Sequence, residues 1–392
     1  MKAAARNALR KVCEDLRKAT AAEGVLGVVP DHVAAPASVE EAAAVMRTAA
    51  EHGLSVVPRG GETRLDWGLP PASCDLLLDT VKLDQVVEHA AGDLIVKVQA
   101  GLTMERLGEV LEAEGQQLAL DIPLPGSTVG GTLATGACGP RRLRYGSPRD
   151  LLIGVTIIRA DGTVAKSGGK VVKNVAGYDL GKLLTGSYGT LGLIVEAAFR
   201  LHPIPPALTY LTRQLDRDQL PELPALLRGL RGSTAVPTAI EVDAPAEGPL
   251  TVAVLADGVP EAIGPRAAAL ADLLGSDTKT AEEPPDWWGM YPDGTTLIET
   301  SRPGGSLPPG AAARWSADGH GFVALSGGPD EVAAVLARLR EGAGAVVRYA
   351  PQEVREGVDM WGPIPALGLM RRVKDQFDPA HRLSPGRFAG GI

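Results

Sequence analysis

The sequence predicts an α+β protein of two domains followed by a C-terminal tail, and three observations carry that reading. Strand-like and helix-like patterns alternate through the first 200 residues. The pattern changes after a proline cluster, His202-Pro-Ile-Pro-Pro206. Glycines gather where predicted strands end. At 392 residues the chain is long enough for two or three domains, and 45% hydrophobic with 22% charged residues is a globular balance. Gly 48 and Pro 31 point to abundant turns rather than disorder. The net charge of −8, with no dense run of Lys and Arg, argues against general nucleic-acid binding.

The N-terminal stretch is interrupted by Lys11, Glu14, Asp15, Arg17 and Lys18, and no run of about 18 apolar residues occurs. The expectation is a cytoplasmic chain with no secretion signal and no transmembrane segment. Cys13, Cys74 and Cys138 are odd in number, far apart and lack a CxxC, which suggests reduced thiols and no metal cluster of the chain's own.

Ser38-Val-Glu-Glu41 has the form of a capping box, so a helix should start there, bury Val39, Ala42, Ala43, Met46 and Ala50, and stop at Gly53. Leu54–Val57 then reads as a strand feeding into Pro58-Arg-Gly-Gly-Glu-Thr63. Leu76–Asp79 and Leu94–Val98 are further strands, and Thr103 caps a helix that turns Leu107 and Leu111 inward until Gly115. Alternation alone admits α/β as well as α+β packing. Pro123 to Gly146 reads as one long loop. Val155–Arg159 and Thr163–Lys166 form a hairpin around Asp161-Gly162, with a tight primed turn. Gly186-Ser-Tyr-Gly-Thr-Leu-Gly192 precedes a strand, Leu193–Leu201. Beyond residue 206, strands at Leu208–Thr212, Ala239–Val242, Leu250–Leu255 and Phe322–Leu325 alternate with helices near 260–274 and 330–341. Residues 276–315 read as irregular, and the tail as a short helix followed by an extended end.

Two segments could hold a ligand against backbone. Pro58-Arg-Gly-Gly-Glu-Thr63 offers closely spaced N–H groups with an Arg and a hydroxyl nearby, which suits a diphosphate, although a plain strand-end turn has the same composition. Pro125-Gly-Ser-Thr-Val-Gly-Gly131, continued by small residues to Gly139, lets a ligand lie on backbone or makes a close-packed bulge. Neither opens a helix with G-x-G-x-x-G, so a Rossmann site is disfavoured. Gly177–Lys182 is one residue short of a P-loop, with Leu183 where a hydroxyl is needed.

Taken jointly, Pro58–Thr63, Ser127–Gly131, Tyr145-Gly-Ser-Pro-Arg-Asp150, Gly177-Tyr-Asp-Leu180 and Gly186–Gly192 resemble the FAD-binding domain of the vanillyl-alcohol oxidase and p-cresol methylhydroxylase (PCMH-type) flavoproteins over roughly 28–205. Gly139-Pro-Arg-Arg142, Lys170–Asp179 and Leu383-Ser-Pro-Gly-Arg387 are similar to the E subunit of bacterial glycolate oxidase. The resemblance implies a PCMH-type two-subdomain FAD domain at 28–205, a smaller α+β cap or interaction domain at 206–350, and a segment, 351–392, returning to the FAD domain.

It also implies a set of cofactor-binding residues. Pro58, Arg59, Gly60, Gly61, Glu62 and Thr63 would wrap the FAD pyrophosphate. Pro125, Gly126, Ser127, Thr128, Val129, Gly130, Gly131, Ala134, Gly136 and Gly139 would line its flank. Tyr145 and Gly146 would lie near the flavin, Lys170, Lys173 and Asn174 would close the pocket, although they also fit a solvated hairpin, and Arg141 and Gly177 complete the cofactor-binding set. Ile194 and Val195 would meet the adenine side.

Relatives with covalent FAD carry His directly after the paired glycines, where this chain has Glu62, so non-covalent FAD is expected. Hydroxyacid dehydrogenases of the superfamily use closely spaced histidines to hold a metal, whereas His32, His52, His89, His202, His320 and His381 are isolated here. No metal site is expected, and no catalytic base is identified. Tyr145, Arg371, Arg372 and Arg387 are substrate-side candidates that could equally be surface or packing residues.

The function implied is that of an FAD-binding subunit in a complex oxidising glycolate, a 2-hydroxy acid, to glyoxylate. Its partners would be a larger FAD-containing catalytic subunit and an iron–sulfur subunit, through which alone it would reach the inner membrane. A stand-alone FAD oxidase or dehydrogenase of another small alcohol or hydroxyacid, and a structural subunit that has lost flavin, are the alternatives.

Overall fold

A computed structural model describes residues 1–169, 179–301 and 310–392. The chain divides into two compact units. Residues 1–138, 147–203 and 363–392 make the first, and residues 139–146 and 204–362 the second. Compared with limits at 205 and 350, the chain leaves the first unit at Ile204 and re-enters it at Pro363, and its first 27 residues lie inside that unit. The reason is a shared core. Ala5 and Leu9 of the first helix, Met46 of the next and Leu383 of the tail are buried in one cluster with Leu76 and Leu78.

In the first unit, a four-stranded sheet runs in the order Leu16–Lys18, His32–Ala34, Leu76–Asp79, Val56–Arg59, with the last three strands parallel. Helix Val39–Glu51 makes the crossover from strand His32–Ala34 to strand Val56–Arg59, and Leu76–Asp79 pairs between the two. Ser38 caps that helix, accepting from the Glu41 amide at 3.1 Å. Glu41, however, accepts from the Ala37 and Glu14 amides rather than closing a reciprocal box. The buried face runs through Ala42, Ala43, Val45, Met46 and Ala49, leaving Ala50 half-buried.

A second, antiparallel sheet orders Val86–Ala90, Ile95–Gln99, Leu193–Arg200, Leu152–Ile158 and Val164–Gly168. Its core joins Val96, Val98 and Phe199 to Leu107, Leu111 and Leu133 from helices Met104–Glu112 and Val129–Thr135. The long stretch read as loop therefore contains a helix. Its small residues are what allow Gly130 to press on Ala100, where a Cβ would come within 2.9 Å of the Ala100 Cβ. The hairpin turn also differs from expectation. Only Gly162 is left-handed (φ 81°), and the loop closes between Arg159 and Thr163, because Gly162 packs on the backbone of Ala43 and Arg47.

The second unit is an eight-stranded antiparallel sheet. Its order is Lys279–Ala281, Ala207–Leu215, Leu250–Gly258, Ala239–Ala244, Ala312–Ser316, Gly321–Leu325, Thr296–Thr300, Ala345–Tyr349. Helices Leu223–Arg231, Pro260–Leu274 and Pro329–Arg340 accompany it. Thr296–Thr300 corrects the reading of 276–315 as irregular. It is an interior strand paired on both sides, with Leu297 and Ile298 fully buried, and the flanking Pro and Gly residues hid it.

Within this sheet Glu299 accepts from Arg348 Nε at 2.6 Å and bonds His320 Nε2 at 3.0 Å. Burial by itself would raise the Glu299 carboxyl, but the Arg348 charge and the His320 contact outweigh it and hold it well below the usual carboxylate range. A depressed folded-state value contributes stability that is complete above the unfolded carboxyl's pKa of about 4.3 and is lost as pH falls below it. Melting curves recorded from pH 6 down to pH 3 should therefore show a smaller acid-induced loss in Glu299→Gln than in the parent chain. Equal losses would show that other carboxylates dominate. Among the described residues, no helix is long and apolar enough to cross a membrane.

Candidate functional site

The site is built in the first unit, at the carboxyl ends of parallel strands Val56–Arg59 and Leu76–Asp79, where open α/β sheets receive ligands. Arg59 pairs in register with Asp79. Its guanidinium is buried and bonds Asp79 Oδ2 through Nε (3.0 Å) and Nη2 (2.6 Å), while Nη1 reaches Glu23 at 3.3 Å and Glu62 at 2.9 Å. Thr80 holds the Arg59 carbonyl from both its amide (2.9 Å) and its hydroxyl (3.0 Å). The Arg of the first glycine segment is thus saturated by three carboxylates and anchors the loop, instead of presenting a free charge.

The two glycine segments touch. A Cβ on Gly60 would lie 2.3 Å from Thr128 Oγ1, and one on Gly61 would lie 1.8 Å from the Gly126 carbonyl oxygen. Thr63 Oγ1 and Arg64 Nη1 each sit 3.1 Å from Ser127 Oγ, and Thr128 caps helix Val129–Thr135 by accepting from Gly131. Among the described residues, the backbone amides of Gly60, Gly61, Glu62 and Thr63 have no acceptor in the chain. Successive N–H groups of this kind form an anion-binding concavity.

These elements enclose one cavity. It is lined by Pro58 through Thr63 and by Thr128, Gly130, Gly131, Ala134 and Ile194 from the expected set. Ser127 and Val129 are buried behind the wall, Pro125 is exposed, and Gly136 ends the 129–135 helix with φ 68°. Gly126 lines a neighbouring cleft with Gly61, Gly101 and Thr103. Val195 belongs to the core cluster with Ile158 and Leu193 and does not line the cavity. Gly139, Arg141, Tyr145 and Gly146 belong to the second unit, where Arg144 pairs with Asp257 at 2.9 Å and Arg142 with Asp318 at 3.0 Å. Lys170, Lys173, Asn174 and Gly177 lie outside the described residues.

The cavity also recruits residues that the motif reading did not assign to it. Arg64, Thr80, Tyr188, Gly189, Ser384 and Arg387 line it. The tail reaches it by pairing beside strand Val56–Arg59, with the Val56 amide donating to the Arg382 carbonyl and the Ser384 amide to the Val56 carbonyl. Leu383–Arg387 was visible as a motif. What hid its place was that tail and strand lie more than 320 residues apart. Three cavity-lining residues other than glycine, Glu62 (φ 62°), Tyr188 (φ 56°) and Ser384 (φ 43°), hold left-handed backbone, a strain that concentrates at functional sites.

The donor set suits an oxygen-rich anionic ligand. Ser384 Oγ and the Nε and Nη1 of Arg387 are buried with no partner among the described residues, and Ser384 and Arg387 are 1% and 3% exposed. Burial pushes the Cys13 and Cys74 thiols up to about 12, which leaves them unreactive. No cluster of three metal-ligating side chains occurs among the described residues.

Residues 30–168 match the family described as FAD binding domain. The chain carries an FAD-binding domain. FAD fits the amides, buried donors and cation that converge on the cavity. Over 178 residues, 45% of this chain, it is 38% identical to a D-2-hydroxyglutarate dehydrogenase of Xanthomonas citri pv. viticola and 36% identical to glycolate oxidase subunit GlcD of Bacillus subtilis. The matched region spans only 38% of the length of either relative. In fold the chain is similar to p-cresol methylhydroxylase (TM-score 0.74, 16% identity, 98% of this chain and 96% of that one). It is also similar to alkyldihydroxyacetonephosphate synthase (TM-score 0.69, 17% identity, 91% and 76%). The architecture is therefore that of the PCMH-type FAD-binding proteins, with a C-terminal segment that returns to the FAD domain.

Proposed function

We propose that the chain is an FAD-dependent oxidoreductase acting on small 2-hydroxy acids, and that it works as a subunit of a glycolate-oxidase-like complex. The observation that carries this reading is the FAD-binding domain at 30–168, whose relatives are named as 2-hydroxy acid dehydrogenases and a glycolate oxidase subunit. FAD supplies a two-electron acceptor for oxidation of an alcohol to a carbonyl. The chain's own part is positioning. The amides of 60–63 and the hydroxyls of Thr63 and Thr128 hold an anion against backbone, while Arg59, locked on Asp79, fixes the loop that presents them.

Glycolate is the favoured substrate. A larger flavin subunit and an iron–sulfur subunit are the favoured partners, since Cys13, Cys74 and Cys138 are far apart in the sequence, with no CxxC that could hold a cluster. Glu62, paired with Arg59, stands beside the paired glycines and is no site for a covalent bond to flavin, so the cofactor is held non-covalently.

Two measurements test this. The purified chain should show flavin bands that pass into the supernatant on acid precipitation, and bands left in the pellet would overturn non-covalent binding. Anaerobic addition of glycolate to the chain together with its co-purifying subunits should bleach those bands. If D-lactate or D-2-hydroxyglutarate bleaches them and glycolate does not, the substrate assignment fails. If no hydroxy acid does and no partner co-purifies, a structural role replaces the enzymatic one.

A further inference from the structure

The cavity contains a cation that the glycine segments do not explain. Arg387 lies in the C-terminal tail, and its Nη2 donates to the carbonyls of Leu65 (2.7 Å) and Trp67 (2.8 Å), which are neutral acceptors. Its Nε and Nη1 are buried without a partner among the described residues. Arg59, the cation expected at this place, is already neutralised by Asp79, Glu23 and Glu62. Ser384, three residues before Arg387, has its hydroxyl buried without a partner among the described residues and close to Gly189, whose Cβ would lie 3.3 Å from it.

We propose that Arg387, assisted by Ser384, is the buried counter-charge for the diphosphate of the bound dinucleotide, so that the tail is a wall of the cofactor site as well as an edge of the sheet. This rests on the FAD reading above and adds to it two residues of the tail that line the same cavity as the glycine loops. A buried guanidinium without an anion is unfavourable, and one that gains a phosphate forms charge-assisted hydrogen bonds. Burial pulls the Arg387 guanidinium down to about 10, with Tyr188, Asp66 and Cys74 acting against that fall.

The placement is over-determined by a second buried cation. Lys374 Nζ donates to the Thr190 carbonyl (2.7 Å), the Leu383 carbonyl (2.9 Å) and Asp378 Oδ2 (2.7 Å). Thr190 and Leu383 are near neighbours in the chain of Tyr188 and Ser384, whose left-handed backbone this tie holds in place. The Asp378 carboxylate also accepts from the Leu383 amide at 2.7 Å. Among the described residues, nothing bonds the two open nitrogens that this arrangement presents.

The test is a titration of the full chain, washed free of flavin, with FAD, ADP and riboflavin. Arg387→Met should weaken FAD and ADP by about tenfold to a hundredfold, the effect of losing a hydrogen bond to a charged group, and leave riboflavin unchanged. Arg387→Lys should recover part of the loss. If Arg387→Met gives no cooperative melt, Arg387→Gln, which keeps a donor for the Leu65 and Trp67 carbonyls, carries the same comparison. Unchanged FAD affinity in a folded variant overturns the proposal, as does a loss seen equally with riboflavin. Failure of the parent chain to bind FAD would instead defeat the cofactor reading itself.

Discussion

Gly61→Ala should purify colourless under conditions where the parent chain retains FAD. The methyl group would stand 1.8 Å from the Gly126 carbonyl oxygen and 2.9 Å from its carbon, so the atoms that must yield are backbone rather than a flexible side chain. The two glycine segments would be forced apart, and with them the amides of 60–63 and the hydroxyls of Thr63 and Ser127. Overpacking of this kind costs about 1–3 kcal/mol or more, and each 1.4 kcal/mol that falls on binding is about tenfold in FAD affinity. Gly108→Ala is the matching control. It lies in helix Met104–Glu112 with nothing within 4 Å of its added methyl, and should gain up to about 1 kcal/mol of stability without touching the flavin. Flavin occupancy and melting temperature, measured on both, decide the matter. A yellow Gly61→Ala with normal occupancy would show that contact between these loops is not needed for FAD.

The second large effect is expected at Lys374, in helix Leu367–Phe377, whose side chain and that of Asp378, the residue after the helix, are both wholly buried and 2.7 Å apart. Burial lowers the Lys374 ammonium, with Asp378 acting against that fall. Replacing one partner leaves the other as an uncompensated buried charge, which costs about 3–5 kcal/mol, whereas replacing both by apolar residues is often close to neutral. Lys374→Met should therefore lower the melting temperature by roughly ten degrees, at about 2–4 °C per kcal/mol for a unit of this size. Lys374→Met combined with Asp378→Leu should regain part of it. The same single variant should weaken FAD retention, because Leu383 and Thr190 lose the tie that places Ser384, Arg387 and Tyr188 at the cavity. A change below about 1 kcal/mol in the single variant would mean that water reaches the pair.

How far the sequence reaches is shown by comparing residues of the same site. The helix starts at Ser38, Thr103 and Thr128 depend on a hydroxyl meeting an amide three residues on, a local event. The first two were legible in the sequence, and the third was lost only because its helix is made of glycine and other small residues. Pro58–Thr63 and Ser127–Gly131 were readable as ligand-facing because a run of glycines at a strand exit has few other uses. The interior strand Thr296–Thr300 was not readable, since its five residues become a strand only when Gly321–Leu325 and Ala345–Tyr349 flank them.

By itself, then, the sequence determined the local chemistry of this protein: the caps, the strand exits, the two glycine segments and the tail motif that together mark an FAD-binding chain. Only the tertiary structure decided which charges serve the cavity. Arg59 looked free in the sequence and is consumed by Asp79, a neighbour created by parallel pairing. Arg387 read equally as a substrate-side, surface or packing residue and is buried at the cavity wall, because the tail adds itself to the edge of the first sheet. The physical reason is range. Turns and caps are set by contacts within four residues, whereas the state of a charge depends on every group that folding brings within hydrogen-bonding distance, however distant along the chain.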